Sequence, residues 1–123
     1  MFIYVAGLLS RNEKGEIAFA IEYLENIARM TCHALEVMHK GHTPFCPAID
    51  FTFFIVNKAQ NLPKIGEKMI KAYSMNWLRR CDAILLTPGW EMSPGTRAEL
   101  TEAQKLGLKV FNDISEVPYA DSD

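Results

Sequence analysis

The sequence lacks the short motifs that mark several well-known kinds of site. No GxGxxG follows the first apolar run, where Gly7-Leu-Leu-Ser-Arg-Asn stands instead, and there is no Walker A loop. No GxSxG elbow follows a strand, and the three histidines form neither an HExxH motif nor an i, i+4 pair. We therefore expect no Rossmann dinucleotide site, no serine hydrolase, no metal and no cofactor.

The sequence also has few cysteines, little net charge and no long apolar run. Cys32, Cys46 and Cys81 are odd in number and lack CxxC spacing, which predicts reduced thiols in a cytoplasmic protein. The net charge of −2 gives no reason to expect nucleic acid or a membrane surface as a partner. No apolar run approaches membrane-spanning length and no basic segment precedes the first strand, so we expect neither a membrane span nor a signal peptide.

What is present is an alternation of apolar strands and helical segments. The 123 residues, 49% of them hydrophobic, suit one domain over residues 1–123 with an acidic tail at about 119–123. The predicted strands and helices, in chain order, are residues 1–6, 17–40, 43–46, 63–80, 83–86, 93–107 and 108–111. Such alternation predicts an α/β fold, a three-layer α/β/α sandwich with four or five parallel strands in flavodoxin-like order.

Apolar residues recur at helical spacing in the first two helices. In the first helix, the longest, these residues are Ile17, Ala20, Ile21, Leu24, Ile27, Ala28, Leu35 and Met38. In the second, the residues along one face are Ile65, Met69, Ala72, Tyr73, Trp77 and Arg80. The apolar stretch 51–56 has no clean period, and both a strand and a buried helical turn fit it.

The third helix and the strand before it stand out. Ser93 is a good N-cap, Pro94 a good first helical residue, and Gly107 a good end. Leu100, Ala103 and Leu106 define the predicted buried stripe.

Glu99 falls inside that stripe on the helical wheel. An acid there faces the crevice at the carboxyl end of the sheet, where α/β folds bind ligands. Alternatively it lies at the edge of a wide stripe or reaches a partner across the sheet.

The start of the third helix has the features of an anion site. Ser93, Gly95 and Thr96 combine free backbone N–H groups, hydroxyls and a backbone that a ligand can approach. Gly7 and Ser10, after the first strand, could form the opposite wall. The simpler alternative is that Ser93 is only an N-cap and Gly95 only tolerated.

Two aromatic residues bear on the same site. Trp90 could stack on a base or ring, or it could pack its own loop down. Tyr4 lies in the first strand, and its hydroxyl could reach Glu99 if it points toward the carboxyl end of the sheet.

Together these residues resemble a known family. Tyr4-Val-Ala-Gly7, and Trp77-Leu-Arg-Arg-Cys-Asp82 leading into Ser93-x-Gly95-x-x-x-Glu99, resemble the nucleoside 2-deoxyribosyltransferase-like superfamily. That superfamily includes nucleoside 2-deoxyribosyltransferases and deoxynucleoside 5′-monophosphate N-glycosidases. The segment Leu-Thr-Pro-Gly-Trp-Glu-x-Ser, which ends at Ser93, resembles most the uncharacterised DUF4406 and DUF1937 branch of that superfamily.

The resemblance implies roles for the matched residues. Glu99 corresponds to the nucleophile that attacks C1′ of the sugar, and Tyr4 to the tyrosine that orients it. Ser93 corresponds to the phosphate-binding serine of the monophosphate N-glycosidases. The implied activity is cleavage of the base–sugar bond of a small nucleoside 5′-monophosphate.

One departure from the family pattern favours a second hypothesis. Ser74 stands where the monophosphate enzymes carry an aspartate that protonates the leaving base, and nothing in the sequence places Asp50 as a substitute. The alternative is a non-catalytic module that binds a nucleotide or phosphosugar.

A third hypothesis is an interaction domain. It rests on the many methionine and aromatic residues and on the oligomers that family members form, from which we expect a homo-oligomer.

Overall fold

A four-stranded, all-parallel sheet organises the protein. The computed structural model describes residues 1–50, 52–53, 56–57, 60, 63 and 65–120. The strands are β1 (Phe2–Ala6), β2 (Thr43–Phe45), β3 (Ala83–Leu86) and β4 (Lys109–Phe111), in the spatial order β2-β1-β3-β4. The helices between them are α1 (Ala20–His39), α2 (Glu67–Leu78) and α3 (Pro94–Lys105). The predicted three-layer, flavodoxin-like fold is confirmed.

Helices cover both faces of the sheet. Alternation along β1 sends Ile3 and Val5 to one face, where they pack with the α1 residues Met30 and Val37. Tyr4 and Ala6 point to the opposite face. There they share a cluster with Leu78 at the end of α2 and Ala103 of α3. Burial on both faces explains why the run Ala83–Leu86 is continuously apolar.

Both ends of α3 lie where the sequence predicts them, but one residue of its buried stripe does not pack. The Ser93 side chain accepts a hydrogen bond from the Thr96 N–H at 3.2 Å, and Pro94 is the first helical residue, as predicted. The helix ends at Lys105, and Gly107 follows the C-cap Leu106 in the predicted left-handed conformation, with φ 72°. Leu106 was predicted to be buried and is 46% exposed, since as C-cap it lies at the very end of the helix.

Most of the apolar residues at helical spacing along α1 are not the ones that pack. The side chains that pack against the sheet are Asn26, Met30, Ala34 and Val37, with Ile27 partly buried beside them. The apolar residues Ile17, Ile21, Leu24, Leu35 and Met38 are all more than half exposed, and Ile17 precedes the helix. Helical period alone could not choose between the faces, because α1 has apolar residues around most of its circumference.

The apolar residues aligned along α2 are also exposed in part. Met69 is 60% and Trp77 45% exposed, whereas Leu78 is fully buried and Met75 half-buried on the neighbouring face. The rings on the exposed face still find partners, since Trp77 stacks on Phe45 at 5.1 Å between centroids. The helix also begins at Glu67, later than the predicted position 63.

The ambiguous stretch 51–56 is helical where the structure describes it. Thr52, Phe53, Val56 and Asn57 have helical backbone, as in the helical alternative, but the turn is not buried, because Phe53 and Val56 are 39% and 52% exposed. Phe51, Phe54 and Ile55, which belonged to the same prediction, lie outside the described residues. No described helix combines the length and apolar character that a bilayer crossing needs.

The cysteines should differ in reactivity. None of the three forms a disulfide; Cys32 is exposed and Cys81 is buried. Burial, with a smaller contribution from the negative charge of Asp82, raises the pKa of the Cys81 thiol to about 11. At pH 8 the Cys81 thiol therefore stays protonated, and its burial keeps reagents away from it. Iodoacetamide should alkylate Cys32 at least about tenfold faster than Cys81. Peptide mass spectrometry measures both rates; in denaturant they should converge, and equal rates in the folded protein would contradict the prediction.

Candidate functional site

A cleft of about 430 Å³ opens where β1 ends and α3 begins. This is the carboxyl edge of the parallel sheet, the usual ligand position in α/β folds. Part of the α2 surface, including Lys71 and Ser74, forms another wall, and Tyr23 of α1 also lines the cleft. The structure brings seven of the eight predicted site residues to it: Tyr4, Gly7, Ser10, Ser93, Gly95, Thr96 and Glu99.

A tyrosine–glutamate pair lies at the centre of the cleft. The Tyr4 hydroxyl donates a hydrogen bond to Oε2 of Glu99. Tyr4 is fully buried in β1, with β2 on one side and β3 on the other, and its ring contacts Phe45 at 5.4 Å between centroids. A rigid central strand therefore holds one carboxylate oxygen of Glu99, which is half-buried on α3.

Hydrogen bonds tie the first turn of α3 to the end of β1. The Thr96 hydroxyl lies 3.1 Å from the Gly7 carbonyl oxygen and 3.0 Å from Ser93 Oγ. A carbonyl only accepts, so Thr96 donates its single proton to Gly7 and accepts from the Ser93 hydroxyl. Thr96, 1% exposed, thus works as a tether between the two walls of the cleft.

The backbone at Gly95 is open to the cleft. A Cβ at this position would meet only Ser93 Oγ, at 4.0 Å. Pro94 has no N–H, while the N–H groups of Thr96 and Arg97 bind Ser93 Oγ and the Ser93 carbonyl. Gly95 is therefore the residue of this first turn whose N–H can meet a ligand without giving up a capping bond.

Gly7 has a packing reason to be glycine. A Cβ on Gly7 would lie 1.8 Å from Thr87 Oγ1 and 3.2 Å from Thr87 Cβ. Thr87 is buried, and its hydroxyl donates to the Ala6 carbonyl at 3.0 Å. The glycine thus lets the chain leaving β1 pass directly over the end of β3.

The loop after β1 is fastened to α1. The buried Asn26 side chain donates to the carbonyls of Leu9 and Arg11, both at 2.9 Å. The Ala18 N–H also donates to the Ser10 carbonyl at 2.9 Å. Sequence reasoning missed Asn26, although a polar amide among the packed residues of a helix was a usable signal.

The cleft contains charge of both signs. Its described lining includes one acid, Glu99, and two bases, Arg11 and Lys71. Lys71 was also missed; it precedes Ser74 by one helical turn and so shares its face of α2. Among the described residues, no group of three His, Cys, Asp or Glu side chains could hold a metal ion.

One predicted site residue, Trp90, does not line the cleft. It begins a short turn, Trp90–Met92, and packs half-buried against the core cluster of Tyr4 and Ala103. The structure agrees with the alternative that this ring packs its own loop down. The side chain of Asp50, considered as a substitute acid, lies outside the described residues.

Comparisons with known proteins complete this picture. Neither the curated proteins nor the solved structures include a significant match to the chain. A protein-family model described as "Domain of unknown function (DUF4406)" matches residues 1–112, which span the whole sheet and every residue of the cleft. The chain therefore belongs to the DUF4406 family.

Proposed function

We propose that the protein is a nucleotide N-glycosidase or deoxyribosyltransferase-like enzyme that cleaves the base–sugar bond of a small nucleoside 5′-monophosphate. The observation that carries the proposal is the hydrogen bond from Tyr4 to Glu99 inside a cleft bordered by the start of α3. A half-buried carboxylate held by one oxygen, beside a helix N-terminus and two cationic side chains, suits a substrate with an electrophilic sugar carbon and an anionic end.

The proposed reaction has two steps through Glu99. In the first, a carboxylate oxygen of Glu99 bonds to C1′ while the C1′–N bond breaks and the base leaves with the electron pair. In the second, water attacks C1′, the bond to Glu99 breaks, and the water proton leaves to solvent. If a second nucleobase attacked C1′ in place of water, the same site would act as a transferase. Tyr4 positions the carboxylate and needs no change of its own protonation state.

The phosphate is proposed to bind at the first turn of α3. The Gly95 N–H and the helix dipole supply partial positive charge, and Arg11 and Lys71 line the same cleft. The Ser93 hydroxyl, which donates to Thr96, can rotate its proton to a phosphate oxygen while its own oxygen still accepts the Thr96 N–H that caps α3.

A second candidate function is a non-catalytic module that holds the same ligand. Ser74 favours it, since this residue lines the cleft where the resembled enzymes carry an acid, and a hydroxyl does not protonate a leaving base near neutral pH. Binding without turnover would then be the whole activity. As an enzyme or as a module, we place the protein in the cytoplasm, in keeping with three cysteines that form no disulfide.

The two candidates separate in one experiment. The protein is incubated with a panel of ribo- and deoxyribonucleoside 5′-monophosphates, with and without an added free base, and released base is followed by chromatography. Parallel thermal-shift measurements report binding, which raises the melting temperature by mass action. Release of free base would support the enzyme. A rise in melting temperature without any release of base would support the non-catalytic module. If no nucleotide does either, both proposals fail.

Replacing Ser93 with aspartate should select against the phosphate. Aspartate caps helices as well as serine does, but its carboxylate cannot donate a hydrogen bond to Thr96 as the Ser93 hydroxyl does, so the free energy of unfolding should fall by about 1 kcal/mol. Its negative charge should weaken monophosphate binding at least about tenfold and leave the affinity for the corresponding nucleoside nearly unchanged. Isothermal titration with the nucleoside and its monophosphate tests this; equal losses for both ligands would contradict a phosphate site at Ser93.

A further inference from the structure

Asn26 is a buried amide on the face of α1 that packs against the sheet. It is 5% exposed, and the other buried residues of this face are Met30, Ala34 and Val37. Packing alone gives no reason for an amide at this position. An apolar side chain of the same shape would be buried more favourably, and asparagine is a weaker helix former than leucine. The reason for the amide therefore lies in its hydrogen bonds.

Both polar atoms of the Asn26 side chain have partners. Nδ2 donates to the carbonyls of Leu9 and Arg11, and Oδ1 accepts from Nη1 of Arg29 at 3.2 Å. The orientation of the amide follows from these partners, because the two carbonyls only accept and so require the NH2 group. One buried side chain thus spends both of its N–H donors on the loop after β1.

The two carbonyls that Asn26 holds lie on either side of Ser10. The Ser10 carbonyl accepts from the Ala18 N–H at 2.9 Å, so three consecutive carbonyls of the loop are held from the α1 side. A backbone held at three successive peptide units has few conformations left, and the side chains of Ser10 and Arg11 therefore extend from a fixed base. These two residues line the cleft, whereas Asn26 is not among its described lining residues.

The turn beyond Arg11 has a different role. The Asn12 side chain accepts from the N–H groups of Lys14 and Glu16, both at 3.0 Å, and the Asn12 N–H donates to the Glu16 carbonyl at 2.9 Å. These bonds close the turn on itself and set its shape, but they do not fix where it lies against the cleft. The position of Arg11 depends instead on the bonds that hold the three carbonyls.

We propose that Asn26 is a positioning residue for the anionic end of the ligand and that it acts through Arg11. The proposal rests on the function proposed above, in which a phosphate binds at the first turn of α3 and Arg11 lines the same cleft. An arginine on a free loop must be ordered at each binding event, at a cost in conformational entropy. An arginine on a held backbone has part of that ordering in place beforehand. Asn26 thus raises the affinity for a phosphate that it does not touch.

Asn26→Leu tests the proposal, because leucine has the same branching and suits an apolar helix face but donates no hydrogen bond. Asn26→Ala is the second variant and cannot overpack the site. Both should keep the circular dichroism spectrum of wild type. In both, the affinity for a nucleoside 5′-monophosphate should fall at least about tenfold, and that for the corresponding nucleoside by less than about twofold. Isothermal titration measures both affinities.

Helix α2 provides a matched control. Asn76 accepts from Nη1 of Arg79 at 3.1 Å, which repeats the pairing of Asn26 with Arg29 three residues further along a helix. Asn76 is exposed and does not belong to the described lining of the cleft. Asn76→Leu removes the same kind of asparagine–arginine hydrogen bond and should leave both affinities unchanged.

A role through Arg11 also predicts that two substitutions are not additive. Arg11→Ala alone should weaken monophosphate binding at least about tenfold, and adding Asn26→Leu should weaken it by no more than about threefold further. Additive losses would mean that Asn26 acts otherwise than by placing Arg11, and would overturn the proposal. Equal losses for nucleoside and monophosphate in Asn26→Leu would overturn it too, since a merely destabilised protein behaves in that way.

Amide hydrogen exchange without any ligand separates this proposal from the proposed function. The Ala18 N–H, which donates to the Ser10 carbonyl, should exchange at least about tenfold faster in Asn26→Leu than in wild type. The Asn12 N–H, bonded inside its own turn, should change less. If the wild-type chain binds no nucleotide, the proposed function fails, and exchange at Ala18 still decides whether Asn26 holds the loop. If wild type binds and the Asn26 variants bind equally well, the positioning role fails alone.

Discussion

Replacing Glu99 with glutamine should reduce base release from the nucleotide substrate by at least about 1,000-fold. Glutamine fills the same space, and its amide oxygen can still accept the hydrogen bond from Tyr4. It cannot attack C1′ as a carboxylate does. The ligand should therefore bind with nearly unchanged affinity while the chemical step is lost, which single-turnover kinetics and titration measure separately.

Two further variants sharpen this result. Tyr4→Phe keeps the buried ring and removes only the hydroxyl that holds Glu99, so kcat should fall by about 10- to 100-fold with KM little changed. Glu102→Gln alters another acid of the same helix, whose ion pair with Arg79 lies at the surface, and should leave kcat unchanged. A Glu99→Gln protein that releases base at the wild-type rate would refute the nucleophile assignment.

Residues that act through local geometry could be predicted from sequence, and residues that depend on three-dimensional packing could not. Ser93 and Pro94 start α3 as predicted, because capping needs only neighbouring residues. The Tyr4–Glu99 contact joins residues 95 positions apart. Sequence position on a strand and a helix suggested it, but only the register of β1 and the placement of α3 determine it.

The packed faces of α1 and α2 show where periodicity stops being informative. When a helix has apolar residues on two faces, the same helical period is compatible with either face being packed. Only the position of the sheet decides which face it is. Leu24 and Trp77 keep helical spacing with the other apolar residues of their helices, yet they lie at the surface, whereas Asn26 is packed. Asn26 was passed over because its amide is polar, although its two hydrogen bonds to the loop make its burial favourable.

Replacing Gly7 with alanine should have the largest effect on stability, a loss of about 2–4 kcal/mol in the free energy of unfolding. The added Cβ would lie 1.8 Å from Thr87 Oγ1, so Thr87 must move and its hydrogen bond to the Ala6 carbonyl is lost. Urea unfolding followed by circular dichroism measures the change. Gly66→Ala is the control; a Cβ there meets nothing within 4 Å, and because Gly66 is the N-cap of α2 the loss should be only about 0.5 kcal/mol.

The cause of the loss can be isolated by removing the atom that collides. Thr87→Ala alone should cost about 1 kcal/mol, the value of one buried hydrogen bond. In the Gly7→Ala/Thr87→Ala double variant the 1.8 Å collision disappears and a tight 3.2 Å contact with the Cβ of residue 87 remains. The double variant should therefore be more stable than Gly7→Ala alone, with a coupling of about 1–3 kcal/mol. Additive losses would mean that the alanine at position 7 acts through something other than Thr87.

The same variants should also affect the cleft. Because the Gly7 carbonyl accepts a hydrogen bond from the Thr96 hydroxyl, nucleotide affinity should fall in Gly7→Ala and recover in the double variant together with stability.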